Sequence, residues 1–180
     1  QEWEIRIVDP ETGQDCGAGQ KGEIVLRGPN MLKGYYKAPD KTAEAIRDGW
    51  FYTGDIGSVD ADGNVMFHGR TKDMLKVGGE NVAAAEIESH LQTHPAVKLA
   101  QVVGIPDPRY SEVPVAFIEL AAGKNCEEDE LIDHCRGFLA GFKVPRSVHF
   151  VREWPMSTSK IQKFKLREEL LAQRDQTAAG

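Results

Sequence analysis

No apolar run in this sequence reaches the roughly 20 residues that a bilayer crossing requires, and no charged-then-apolar leader opens it. A soluble, cytoplasmic protein without a transmembrane segment is expected. Long basic runs are missing as well: 22 Lys and Arg stand against 28 Asp and Glu, a net charge of −6. Binding to a phosphate backbone draws its affinity from clustered cations, so no nucleic-acid partner is expected. Cysteine is scarce, and Cys16, Cys126 and Cys135 are odd in number with no metal-ligand spacing. They read as free thiols in a reducing compartment, with neither a disulfide framework nor a metal site. Also absent are a Gly-x-x-x-x-Gly-Lys phosphate loop, a dinucleotide fingerprint and any internal repeat. The first residue is not Met, and the chain opens directly on strand-like alternation, so a piece of a longer protein is expected.

What is present is enough for a real core. The chain has 180 residues, 41% of them hydrophobic, a size that allows one or two domains. Residues 1–69 read as β structure with one short helix. Trp3, Ile5 and Ile7 alternate with Glu4 and Arg6, Gly22 to Gly28 frames a second strand, and Ala61-Asp62-Gly63 joins two more as a hairpin. The helix is expected after Pro39, with Asp40 as its N-cap and Gly49 as its stop. Residues 70–180 alternate helix and strand instead. Helices are predicted over 83–94 and 127–142, strands over 97–105, 113–120 and 148–151, and fraying from Ala172 onward. The expected fold class is α+β: a small antiparallel β module, then an α+β C-terminal domain.

Three stretches carry candidate chemistry. Tyr52-Thr53-Gly54-Asp55 stands just before a predicted strand, where an ionised Asp can accept two hydrogen bonds from vicinal hydroxyls. His68 to Asn81 holds Arg70, Lys72 and Lys76 between apolar patches and closes on Gly78-Gly79, where a backbone can approach a ligand with no Cβ in the way. Read by itself, that stretch is a hairpin with a solvated charged face. Trp154 to Lys163 sets Lys160 on a loop of small residues, from which an ammonium can reach into a site elsewhere.

In this order, the three stretches resemble the C-terminal portion of the adenylate-forming superfamily, which includes acyl-CoA synthetases and peptide-synthetase adenylation domains. Gly22-Glu23-Ile24, Gly34-Tyr35-Tyr36 and Thr42 resemble its connecting segment. Gly78-Gly79-Glu80-Asn81, Ala85-Glu86-Ile87-Glu88 and Phe142-Lys143-Val144-Pro145 are most similar to fatty-acyl, aryl and carnitine-type CoA ligases.

The resemblance implies ATP, Mg2+, CoA and a carboxylic acid as substrates and cofactors. It also implies two half-reactions: adenylation of the acid, then thioester formation. It assigns Asp55 and Arg70 to the ribose, Lys72 to a hinge near 69–72 about which a mobile C-terminal domain turns, and Lys160 to catalysis of adenylation. Gly78 and Gly79 would line the tunnel for the CoA pantetheine, with Lys76 assisting the thioester step. Phe142, Lys143 and Arg146 would hold the nucleotide end of CoA.

Two departures from the family pattern bear on these roles. Ser159 stands where the family usually has Gly before the catalytic lysine, and the loop from Pro155 is one residue short; Lys163 is the fallback cation. The family's phosphate loop, its Mg-associated glutamate motif and its acyl pocket have no counterpart in these residues. An N-terminal domain of the same protein is therefore an expected partner, and the chain by itself is expected to be inactive. Loading of a carrier protein, or a binding module that has lost catalysis, are the alternatives. His134 reads as a satisfied core residue; His90, His94 and His149 have no partner by spacing; Glu86 and Glu88 read as structural.

Overall fold

The computed structural model describes residues 2–178. The chain divides into two compact units, one ending at Lys72 and the next beginning at Asp73. The division lies at the C-terminal end of the 69–72 stretch.

The first unit is a five-stranded antiparallel sheet. Strand β1 (Glu4–Val8) pairs with β2 (Gly22–Arg27), which pairs with β4 (Trp50–Val59). Short β3 (Ile46–Arg47) joins the beginning of β4, and β5 (Val65–Arg70) joins its end. In β1 only Ile7 and Val8 are buried; Trp3 and Ile5 stay about half exposed, so the alternation read from sequence turns inward only at its far end. Helix α1 (Pro39–Ala45) is capped by Ala38, not Asp40, and no side chain bonds to its cap. Pro39 takes the first position, where its missing N–H is no loss, and Asp40 sits in the first turn, favoured there by the helix dipole. The helix does not run to Gly49: it stops at Ala45 and hands over to β3, and Asp48-Gly49 make the turn into β4.

The second unit is a sheet covered on both faces. Its strands are β6 (Met74–Val77), β7 (Glu80–Ala83), β8 (Val97–Asp107), β9 (Ser111–Leu120) and β10 (Ser147–Phe150), in the order β10-β9-β6-β7 with β8 also on β9. All pairings are antiparallel except β10 on β9. Alternation along β8 and β9 feeds two separate cores. Ala100, Val102, Ala116 and Ile118 pack with Ile87 and Leu91 of α2 (Ala84–Leu91) and Leu131 and Cys135 of α3 (Glu128–Arg136). Val103, Ile105, Val115 and Phe117 turn the other way onto Leu166 and Leu170 of α4 (Lys163–Ala178). Burial on both faces is why these strands read as nearly continuous β-branched runs.

Two predictions fail here. Helix α3 ends at Arg136, short of the predicted 142, and Phe138 beyond it is 77% exposed; Gly137 follows the helix, and Leu139 reaches the core from the turn beyond. Helix α4 was not expected at all, and it occupies most of the stretch read as a fraying tail. Its apolar stripe among the described residues is narrow, with Leu166 and Leu170 one turn apart between charged residues. No helix among the described residues is long and apolar enough to cross a membrane.

Candidate functional site

The Tyr-Thr-Gly-Asp stretch lies inside β4, not before it, and its glycine makes a bulge. Pairing with β2 shifts register between Glu23 and Val25, so Thr53, Gly54 and Asp55 stand against Ile24 alone. Gly54 takes φ +71 there, a conformation that costs other residues about 1–2 kcal/mol, and its N–H donates to Glu23 Oε1 at 2.8 Å. The Thr53 hydroxyl donates to the Ile24 carbonyl and accepts the Asp55 N–H. A bulge re-aims the side chain that follows it, and here it turns Asp55 towards its cross-strand neighbour Arg70. Arg70 Nε sits 2.7 Å from Asp55 Oδ1, and its other end donates to the Thr53 carbonyl at 3.0 Å. Both side chains remain partly exposed. The structure thus joins these two residues as one charged, half-open pair. His68, in β5, lies 2.8 Å from Ser58 Oγ of β4.

After β5 the chain makes a short 3-10 turn, Thr71–Asp73, with exposed Lys72 at its centre. Strands β6 and β7 then form a hairpin closed by Gly78 and Gly79 at φ +60 and +90, the two positive values a tight primed turn requires. Leu75 and Val77 point into the core and Lys76 points out. The turn is tied to Tyr110, whose carbonyl accepts the Gly78 N–H at 2.7 Å. A Cβ at Gly79 would meet nothing within 4 Å, whereas one at Gly78 would lie 3.5 Å from the Tyr110 ring.

The guanidiniums of Arg109 and Arg146 lie 5.1 and 5.8 Å from that same ring. Asp107 orders this corner by accepting the N–H groups of Arg109 and Tyr110; those bonds, and the two arginines beside it, hold its carboxyl below the usual range. Gly78, Gly79 and Arg146 are therefore brought together, and Arg109 and Tyr110 were missed. Their only sequence signal was a Pro-Arg-Tyr-Ser break between two strands. Lys143, by contrast, is engaged elsewhere: its ammonium lies 2.6 and 2.8 Å from the two oxygens of Glu86. Phe142 stays partly exposed, its ring 5.9 Å from that ammonium. Lys143 is thus tied to Glu86 of α2.

Lys160 stands exposed on a loop that closes on itself. Met156 bridges Ile161, and the Lys160 carbonyl accepts both the Ser157 N–H and the Ser157 hydroxyl. The loop is pinned at its front by Trp154, whose indole N–H donates to Glu119 at 2.7 Å. At its rear, Lys163, the fallback cation, is engaged with α2: its ammonium lies 2.6 Å from Glu88 Oε1, and both side chains are largely buried. The structural reading of Glu86 and Glu88 is thereby made specific.

Residues 2–36 match the AMP-binding enzyme family and residues 86–160 match the AMP-binding enzyme C-terminal domain. Over both stretches the chain is similar to AMP-binding enzymes. It is 45% identical over 165 residues to a feruloyl-CoA synthase of Amycolatopsis, covering 91% of this chain and 33% of that protein. ATP-bound MatB from Rhodopseudomonas palustris superposes with a TM-score of 0.85 at 39% identity, over 93% of this chain and 34% of MatB. MenE of Bacillus subtilis, an o-succinylbenzoate CoA synthetase in complex with its acyl-adenylate intermediate, gives 0.84 at 35% identity, over 93% and 33%. The chain spans about a third of the length of the curated relatives it matches. Its α+β architecture is that of the C-terminal region of these adenylate-forming enzymes.

The AMP-binding C-terminal domain match runs to Lys160 and takes in a histidine cluster that spacing could not reveal. The pairing of α2 with α3 stacks His90 on His134 and on exposed Phe138, with His94 edge-on to His134. His134 is only partly buried and bonds Thr93; burial and the neighbouring His90 hold its pKa down. His149, in β10, lies against Phe117 and is likewise depressed by burial.

His94, Cys126 and Glu130 bring ligand-type atoms within 4.8 Å of one another. The Ala96 N–H donates to His94 Nδ1 at 3.3 Å, and His94 Nε2 lies 3.3 Å from Glu130 Oε1. Burial and the nearby Glu130 raise the Cys126 thiol to about 11, and burial alone does the same for Cys135. Both are protonated, unreactive thiols at neutral pH.

Proposed function

We propose that this chain works within an ATP-dependent, AMP-forming acid:CoA ligase of the cytosol. The large domain of that protein would supply the acyl pocket, the phosphate loop and the carboxylates that hold Mg2+. In the first half-reaction a carboxylate attacks the α-phosphate of MgATP and pyrophosphate leaves. In the second, the CoA thiol attacks the acyl-adenylate and AMP leaves. Asp55, with one oxygen already held by Arg70, takes the ribose hydroxyls. Lys160 offsets the repulsion between carboxylate and phosphate and stabilises charge on the phosphate oxygens. Lys72 is the pivot of the exchange between the two steps, Gly78-Gly79 lines the pantetheine path, and Lys76 assists the thioester geometry. Arg146, joined by Arg109 and Tyr110, receives the phosphorylated end of CoA.

The observation that carries this reading is the distance between two elements of one rigid sheet. The Gly78-Gly79 hairpin meets β9 at Ser111, where Val77 pairs. The anchors of the Lys160 loop lie at the level of Ala116, through Glu88 and Val102, and at Glu119. Those positions are roughly 17 and 27 Å further along the strand at about 3.4 Å per residue. Elements pinned so far apart on one body serve a single reaction centre in turn, which is what two half-reactions require.

The test separates the two steps. In the full-length protein, Lys160→Ala should lower acid-dependent pyrophosphate exchange on the order of a hundredfold or more. Conversion of supplied acyl-adenylate to thioester should stay within about twofold of wild type, since Lys160 then has no part in the reacting geometry. Equal loss in both assays would refute the division of labour, no loss in either would refute the role of Lys160, and absence of both activities from the wild-type full-length protein would favour a binding module that has left catalysis.

A further inference from the structure

The Lys160 loop is fixed by an ion pair that no functional role so far accounts for. Glu88 projects from α2 and Lys163 opens α4, 75 positions later, yet their charged atoms lie 2.6 Å apart. Side-chain exposures are 12% for Glu88 and 21% for Lys163, against 33–63% for both partners in the first unit's pairs of Arg6, Arg27 and Arg70. Glu88 Oε1 also accepts the Val102 N–H at 2.7 Å, so the carboxylate is itself tied to β8. Lys163 follows Lys160 by three residues, and the intervening Gln162 N–H donates to the Pro155 carbonyl, closing the base of the loop. The chain of contacts runs from the β8 backbone through Glu88 to Lys163 and so to the residues that carry Lys160. A loop that closes on its own hydrogen bonds and rests Trp154 and Ile161 on the second core gains a charged anchor at its back.

We propose that Glu88 and Lys163 are a positioning pair for Lys160. They touch no substrate and set the place and direction from which its ammonium is offered. This rests on the reading of Lys160 as the lysine of the adenylation step. The pairing also explains how a loop one residue short, with Ser159 in place of glycine, keeps a defined base: its geometry is dictated from outside by a largely buried charge, not by its own turn. A largely buried ion left without its counter-ion moves towards water, and here Lys163 would carry the loop with it.

The experiment uses the full-length protein with Glu88→Gln, which keeps the size of the side chain and an acceptor for Val102 but removes the charge. Pyrophosphate exchange should fall in kcat by about ten- to a hundredfold, the range that a misplacement near 1 Å produces. KM for ATP and thioester formation from supplied acyl-adenylate should both stay within about twofold. Amide hydrogen exchange over Ser157–Gln162 should speed up by about tenfold, reporting loop opening without reference to activity. Lys163→Arg, which preserves the charge, should resemble wild type in all four measurements. Glu88→Gln/Lys163→Met leaves no unpaired charge and serves if the single variant does not fold; it too should lose exchange selectively. Unchanged loop exchange with unchanged kcat, or parallel loss of both half-reactions, would overturn the proposal. Lys160→Ala run alongside keeps the two readings apart: if it retains pyrophosphate exchange, the role of Lys160 fails, while the loop's hydrogen exchange still decides whether the pair anchors it.

Discussion

At the level of single residues, Gly79 offers the sharpest test of the hairpin. Its φ of +90 strains any other residue, yet an added side chain would meet no protein atom within 4 Å. Backbone strain and bulk can therefore be separated. Gly79→Ala and Gly79→Leu should lose a similar amount of stability in urea unfolding, about 1 kcal/mol or somewhat more. Only the leucine extends into the space in front of the turn. Thioester formation should fall at least about tenfold further in Gly79→Leu than in Gly79→Ala, with pyrophosphate exchange equal in both, if that space is the pantetheine path. Equal thioester rates in the two variants would leave the turn as a hairpin and nothing more. Residue identity was legible here because glycine is demanded by local backbone geometry. The partners of Lys143 and Lys163 were not, because Glu86 and Glu88 lie 57 and 75 positions away and only the packed fold brings them near.

At the level of elements, α4 marks where sequence reading stops. Strands β8 and β9 declare themselves through β-branched runs, and α2 through Ile87 and Leu91 at helical spacing. In α4 the buried contribution rests on Leu166 and Leu170, set in a background of Lys, Arg and Glu that also suits a solvated tail. What makes the helix stable is the second face of the sheet, and that face is invisible until the strands are assembled. Leu170→Ala should accordingly cost about 2–4 kcal/mol in urea unfolding, as for other buried leucines. Phe164→Ala, at a position 55% exposed on the same helix, should change stability by no more than about 0.5 kcal/mol. Comparable losses at both positions would mean that α4 is held by something other than its leucine stripe.

For the molecule as a whole, the motif order pointed to the family and to an α+β architecture, and the resemblance supplied the roles. Only the sheet's connectivity shows that the Gly78-Gly79 hairpin and the Lys160 loop hang from different heights of β9. Among the described residues the same connectivity leaves β8 with a strand partner on one side only. Its open flank would be a template for another copy of the chain, but two outward backbone groups are already taken. The Val102 N–H is held by Glu88, and the Gly104 carbonyl accepts from Arg167 Nε of α4 at 2.9 Å. Two charged side chains, one from each covering layer, thus cap the flank against edge-to-edge addition. Glu88→Val with Arg167→Ala should promote concentration-dependent self-association, seen by light scattering at concentrations where wild type stays dispersed. Glu88→Gln, which keeps its acceptor, should not. The carboxylate that steadies a catalytic loop would on this view also guard the protein's solubility, which ties Glu88 to two selective pressures at once.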